Sequence, residues 1–300
     1  MFTDRYPFDP ALQHLPQIQE FTQLKRKAEA IAGQLLRNSV THQDGQLIHQ
    51  CAETLGISTH NPMTPVIKTW YCKHRACPIC QWRKQMKRLA QMHTVLDLLK
   101  MQPSNHRWLF LTLTVQNCPV TELSPVLDCM NQAFSRMLRR KELQHLAGHL
   151  RNTEITEDTL HPGYVHPHFH CLLLVKPSMF AGKHYVKESR WAELWQEALG
   201  ISYLPRVHVR GVARDGLSED QQVINHVAYN TKVASSYEQE DVFVELVQQT
   251  KRKRLFSAGG LLRELMSSEE RELFDDEPEP EHRVLSQWSP THSTYLQPPL

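Results

Sequence analysis

The chain predicts an α+β fold, and three observations carry that expectation. Apolar residues recur at three- and four-residue steps in five stretches, as in helices packed on one face. Between them lie segments of alternating or continuous apolar and β-branched residues, two of which flank the turn-forming Leu160-His-Pro-Gly163 and read as a hairpin. Four cysteines, Cys51, Cys72, Cys77 and Cys80, form a separate, loop-rich module with metal-ligand spacing.

In chain order, Gln17–Leu36 reads as an amphipathic helix, with Ile18, Phe21, Leu24, Ala28, Ile31 and Leu35 on its apolar face. Cys77-x-x-Cys80 is a tight knuckle that brings two thiolates to one ion, Cys72 lies five residues earlier, and Cys51 is the expected fourth ligand of a tetrahedral structural zinc. His74 and His49 compete for the place of any cysteine that is spared. A redox pair would need a thioredoxin-like context that is absent here, and an odd total of seven cysteines argues against a disulfide framework. Arg75, Arg83, Lys84, Lys87 and Arg88, with Trp82 among them, suit phosphate contact and base stacking.

Trp82–Met101 continues as a helix, with Leu89, Met92, Val95, Leu96 and Leu99 as its stripe. Arg107–Asn117 is a strand, Leu123–Leu146 a helix bearing Arg136, Arg139, Arg140 and Lys141, and Leu150–Glu157 the next strand. Arg190–Leu199 is helical, Val207–Val212 a strand, and Ser218 with Gln221 three residues on opens a helix running through Tyr229 to Lys232. Lys251-Arg-Lys-Arg254 is a basic cluster before a glycine-bearing turn expected to be flexible.

The most informative strand is His166-Pro-His168-Phe-His170-Cys-Leu-Leu-Leu-Val175. Alternation puts the three histidines and Leu172 and Leu174 on one face. Imidazoles on a buried strand are either hydrogen-bonded core groups or ligands of a divalent metal. A hairpin centred near Pro162 sets Glu154 across from His170 on the histidine face, completing a His-His-Glu set, with Glu157 and Asp158 as competitors should the register shift.

The charge is unevenly distributed. Of 34 basic and 32 acidic residues, eight acids and only two arginines lie from Ser267 onward, which leaves residues 1–266 with a net charge of +8. A basic body suggests a polyanionic partner. With 40 % hydrophobic and 22 % charged residues, no run that spans a membrane and no signal-peptide pattern, the expectation is a cytoplasmic protein without membrane partners.

Four motifs in order give the chain a resemblance to the single-tyrosine replication initiators of bacterial rolling-circle plasmids, within the HUH endonuclease superfamily. They are Cys72-Lys-His-Arg-Ala-Cys77-Pro-Ile-Cys80-Gln-Trp-Arg, Phe110-Leu-Thr-Leu-Thr-Val-Gln-Asn117, His166-Pro-His168-Phe-His170 and Tyr229-x-x-Lys232. The resemblance covers roughly residues 45–265. It implies a central antiparallel sheet with flanking helices and a small Cys-rich zinc module. Residues 1–44 then form an N-terminal helical segment, 45–90 the Cys₄ module and the start of a basic helix, 91–266 the nicking and joining domain, and 267–300 an acidic, disordered tail.

The resemblance further implies Mg²⁺ or Mn²⁺ at His168, His170 and Glu154, with His166 outside the ligand set. Tyr229 becomes the nucleophile, assisted by Lys232, and leaves a 5′-phosphotyrosyl link and a free 3′-OH. The implied partners are single-stranded or hairpin origin DNA, a host helicase and polymerase, and a second copy in a homodimer. One position departs from the pattern. Relatives often carry a glutamate four residues before the tyrosine to activate water for termination, and here that residue is Asn225. His226, Tyr237, Glu238 or a second protomer are the substitutes to consider. A transposase or mobilisation relaxase with the same chemistry, and a non-catalytic zinc-stabilised DNA-binding regulator, are the rival readings.

Overall fold

The computed structural model describes residues 16–58, 67–101, 105–212, 218–230, 240–268 and 283–296. Among them two compact units emerge. The first holds the described residues up to Lys84, Glu240 and 283–296, and the second those from Gln85 to 230 and from 241 to 268.

In the first unit α1 (Pro16–Leu36) buries the apolar face read from its sequence. It packs on α2 (His42–Gln50), a helix whose polar sequence gives little periodicity. The close approach depends on Gly45, where a Cβ would come within 2.9 Å of the Leu36 backbone nitrogen. Strands β1 (Thr54–Ser58) and β2 (Ile67–Thr69) join β9 (Arg283–Ser289) and β10 (Thr294–Leu296) in an antiparallel sheet ordered β10-β9-β1-β2. The expectation of a disordered tail is therefore corrected for 283–296, while the acid-rich residues 269–282 lie outside the described residues. Apolar anchors explain the ordering: Trp288 and Tyr295 are buried, and the Tyr295 hydroxyl donates to the Ala52 carbonyl at 2.6 Å.

Helix α3 (Pro78–Met101) begins four residues earlier than expected. Its leading proline needs no hydrogen-bond partner at that position. Its later residues Met92, Val95 and Leu96 belong to the core of the second unit.

That unit is built on a sheet ordered β7-β3-β6-β5-β8, formed by β3 (Arg107–Thr114), β5 (Leu146–Glu157), β6 (Tyr164–Val175), β7 (Val207–Gly211) and β8 (Phe256–Gly260). The short β4 (Cys118–Pro119) pairs with β6, and every pairing is antiparallel. One face of β6 buries Leu172 and Leu174 against α3 and α6 (Glu219–Asn230), in a cluster with Phe110, Val223, Ile224 and Val227. On the other face Phe169 meets Phe134 of α4 (Leu123–Met137) and Trp195 of α5 (Glu188–Leu199). Burial on both faces accounts for the continuous apolar run of the histidine strand. The unit is completed by α7 (Glu240–Gln249), whose residues from Asp241 onward belong to it, and by α8 (Leu261–Ser268).

Two further expectations are corrected. The helix expected over Leu123–Leu146 stops at Met137, and a 3₁₀ turn at Lys141–Leu143 leads into β5. From Leu138 the next apolar residue is Leu143, a step that leaves the helical face. The segment after Lys251–Arg254 is the strand β8, where Gly259 stands against His149. A Cβ there would fall 2.1 Å from the imidazole, so glycine permits the pairing with β5.

Helix α6 has the expected cap, with the Ser218 hydroxyl accepting from the Gln221 N–H at 3.1 Å. Ser218→Ala is expected to lower stability by about 1 kcal/mol, read as a reduced urea midpoint at unchanged slope.

Candidate functional site

The β5–β6 hairpin brings three ligand-type side chains together. Glu154 stands opposite His168, and Asn152 opposite His170. The pairing differs by two residues from the one expected, and an even shift leaves Glu154 on the histidine face. Its Oε2 lies 2.7 Å from Nε2 of both His168 and His170. The Nδ1 of His168 faces the His166 carbonyl at 3.2 Å. A carbonyl only accepts, so Nδ1 carries a proton; Nε2 offers its lone pair when a cation is bound, and a proton on Nε2 lets it donate to Glu154 when none is. His170 has Nδ1 3.4 Å from the Thr112 hydroxyl.

The Nε2 atoms of two imidazoles and a carboxylate oxygen thus converge on one point. Hydrogen bonds from His168 first, then His170, hold the Glu154 carboxyl well below the usual carboxylate range. Separations of 2.7 Å approach the roughly 3 Å between neighbouring ligands of an octahedral cation with bonds of about 2.1 Å, so the group fits a divalent metal. The remaining histidine of the triple, His166, is not in the cluster. Burial and then the charge of His168 lower its pKa, with a smaller contribution from Arg206. Asp158 lies in the hairpin turn, accepting from the backbone of Leu160 and His161 and from Asn117.

Helix α6 lies over the same face. Its His226 stacks on Phe110 at 4.2 Å between ring centroids and sits 6.4 Å from the His170 ring. Burial pushes His226 down to about 3, so the ring stays neutral and is a poor proton acceptor. Asn225 is exposed and its side-chain oxygen accepts from Gln221. Tyr229 is a backbone residue of α6 whose side chain is outside the description; Lys232, Tyr237 and Glu238 lie outside the described residues.

A second cluster lies in the first unit. The sulfurs of Cys51, Cys72, Cys77 and Cys80 all fall within 4.8 Å of one another. Cys80 Sγ lies 3.7 Å from that of Cys51 and 3.6 Å from that of Cys72. Tetrahedral sulfur coordination at about 2.3 Å sets such edges near 3.8 Å, so the cluster fits a tetrahedral ion. Backbone N–H groups of Lys73 and His74 point at Cys80 and Cys72, at 3.2 and 3.4 Å. Contacts among the sulfurs, that with Cys51 first, depress Cys80 and Cys72 and raise Cys77, while Cys72 leads those raising Cys51. Four thiols this close cannot all ionise without a cation between them. The competing histidines are engaged elsewhere: His74 lies 3.4 Å from Asp44 and His49 lies 2.7 Å from Glu29.

The basic residues separate into exposed and folded-in groups. Arg83, stacked 4.2 Å over Tyr71, and Lys84 are exposed, whereas Arg75 and Lys87 are half-buried. Arg88 turns inward, 3.8 Å over Phe256, and lines a small cavity with His170 and His226; burial pushes it down to about 10. Arg136 donates to the Ala198 carbonyl at the end of α5 instead of projecting outward. Sequence reasoning gave no role to Arg206, His208 and Arg210. All three are exposed, and their period-two spacing into and along β7 was the signal available in the sequence.

Residues 64–296 match the Rep_1 family, described as "Replication protein". The chain belongs to the Rep_1 family of replication proteins. The match takes in Glu154, His168, His170, Tyr229 and three of the four clustered cysteines, and it extends through β9 and β10. Cys51 and the α1–α2 pair precede it. Among its relatives, "Protein rep" of Streptococcus pneumoniae serotype 2 (strain D39 / NCTC 7466) is 34 % identical over 224 residues, covering 73 % of this chain and 69 % of the relative. "Protein rep" of Lactiplantibacillus plantarum is 34 % identical over 230 residues, covering 73 % and 72 %. A Staphylococcus aureus "Protein rep" is 27 % identical over 206 residues, covering 67 % and 89 %. No solved structure matches the chain. No helix among the described residues is long and apolar enough to cross a membrane.

Proposed function

We propose that this Rep_1 chain initiates rolling-circle replication of a plasmid by nicking one strand of its origin. The observation that carries the reading is the convergence of Glu154, His168 and His170 on the sheet face covered by α6. The cluster suits Mg²⁺ or Mn²⁺, and the four cysteines suit structural zinc. A divalent cation bound at the histidine cluster supplies Lewis acidity at the scissile phosphate.

The remaining chemistry belongs to the chain. Tyr229 attacks phosphorus, so that an Oη–P bond forms while the O3′–P bond breaks. The phenolic proton leaves and the 3′ oxygen gains one, giving a 5′-phosphotyrosyl link and a 3′-OH that a polymerase extends. Because the ester is conserved, the strand is rejoined without a nucleotide cofactor. Lys232, three residues beyond Tyr229 in the sequence, favours the phenolate. His168 and His170 remain neutral ligands, and His166 orients His168 through its carbonyl. Origin DNA, a host helicase and polymerase, and a second copy of the chain are the partners this reading calls for, in the bacterial cytoplasm.

Supercoiled origin plasmid incubated with Mg²⁺ or Mn²⁺ tests it. Wild type should convert the plasmid to an open circle carrying covalently bound protein. Tyr229→Phe should form no covalent adduct and nick at least about 10³-fold more slowly. Equal nicking by both proteins would remove Tyr229 from the mechanism, and specific origin binding without nicking at any metal concentration would favour a DNA-binding regulator.

A further inference from the structure

Strand register lays out two polar rows across the histidine face. One row runs His208, Thr112, His170, Asn152 from β7 to β5. In the next, Thr114 stands opposite His168 and His168 opposite Glu154. Arg206, one residue before β7, extends this second row, since its carbonyl accepts from both the Thr114 backbone at 3.3 Å and the Thr114 hydroxyl at 2.9 Å. The row on the other side, Arg210, Phe110, Leu172 and Leu150, is where the apolar cover of α3 and α6 is seated. Arg210 lies at that boundary, 5.3 Å over the Phe110 ring.

The two polar rows therefore continue from the metal-type cluster to the edge of the sheet, where a groove of about 530 Å³ opens between β3, β7 and α5. Its lining includes Thr112, Thr114, Arg206, His208 and Glu188. The one carboxylate is already engaged at the strand edge, accepting from the Val209 N–H at 3.2 Å and lying 3.5 Å from His208. Both arginines and His208 are exposed. A strand edge with basic side chains at period two presents them on one face, where a phosphodiester backbone can meet them in succession.

We propose that β7 and this groove form a track for single-stranded DNA, in which Arg206 and Arg210 hold phosphates flanking the one presented to Glu154, His168 and His170. The proposal rests on the nicking reading above and gives it positioning residues. Two strand spacings separate β7 from β6, about 10 Å. That distance suits phosphates about one or two nucleotides from the reacting one. The short hydroxyls of Thr112 and Thr114 leave the floor between the two strands low enough for a chain to cross.

Binding can be measured without cleavage. A fluorescein-labelled oligothymidylate of about 15 nucleotides is titrated with the full chain, without added Mg²⁺ or Mn²⁺, at several salt concentrations. Arg206→Ala and Arg210→Ala should each weaken binding about 3–10-fold and reduce the slope of log Kd against log salt by about 0.7, the value for one phosphate contact on a single strand. Arg206→Lys should keep the wild-type slope. In nicking assays Arg206→Ala should raise KM with kcat little changed, which a folding defect would not produce. Wild-type affinity and slope in both alanine variants would overturn the track. Because oligothymidylate binding needs no tyrosine, a failure of Tyr229 as nucleophile would leave this result readable.

Discussion

Replacing Cys77 with serine is expected to empty the four-sulfur cluster and unfold the sheet beside it. The cysteines bracket a segment with little regular structure: between β1 and α3 the described chain offers only the three residues of β2. In zinc-finger peptides a structural zinc contributes about 10–16 kcal/mol, comparable with the whole stability of a domain. Zinc content, measured by mass spectrometry on purified protein, should fall from about one per chain to near zero. Amide protection at Leu55–Ile57, which pair with β2 and β9, should be lost with it. Full zinc retention in Cys77→Ser would exclude a four-cysteine site.

Glu154→Gln and His170→Ala are expected to slow origin nicking by about 10³-fold or more while leaving oligonucleotide binding near wild type. Lewis-acid stabilisation of a phosphoryl transition state is worth several kcal/mol, and each 1.36 kcal/mol is about tenfold in rate. Glu154 is the sole carboxylate within the described cluster, so its amide variant loses the charge that neutralises a cation. Raising Mn²⁺ should restore part of the activity in His170→Ala, since a weakened site can be filled by mass action. Nicking at the wild-type rate in both variants would leave the cluster as a hydrogen-bonded core feature.

Much of the second unit was legible in the sequence because its signals are periodic. The histidine strand alternates and follows a turn, and its apolar second half follows from lying between two helical layers. Glu154 was legible for a more robust reason: any even register error keeps a residue on its face. The register itself was not, because the turn is organised by Asp158, whose carboxylate gathers the Leu160 and His161 backbone, and not by symmetry about Pro162. The first unit was harder to read. Helix α2 carries few apolar residues and is held through a glycine contact, while β1, β2 and β10 are too short for a pattern to emerge. In the tail a run of acids outweighed two buried aromatics, Trp288 and Tyr295, that anchor it. Basic residues misled for another reason. Sequence cannot distinguish an arginine that reaches a helix end, such as Arg136, from one that stays exposed, such as Arg206.

The pairing of β9 with β1 imposes an order of events during synthesis. Strand β1 and the cysteines emerge early, yet the strand that β1 pairs with is encoded more than two hundred residues later. At about 5–20 residues per second, a ribosome leaves β1 without that neighbour for roughly 10–40 s. During that interval the sulfur ligands are already present while one edge of β1 is bare, a condition in which exposed strands find wrong partners. An early metal load would hold the loop in a paired-ready form until the last segment arrives, so the yield of folded protein should depend on zinc supply during translation more than after it.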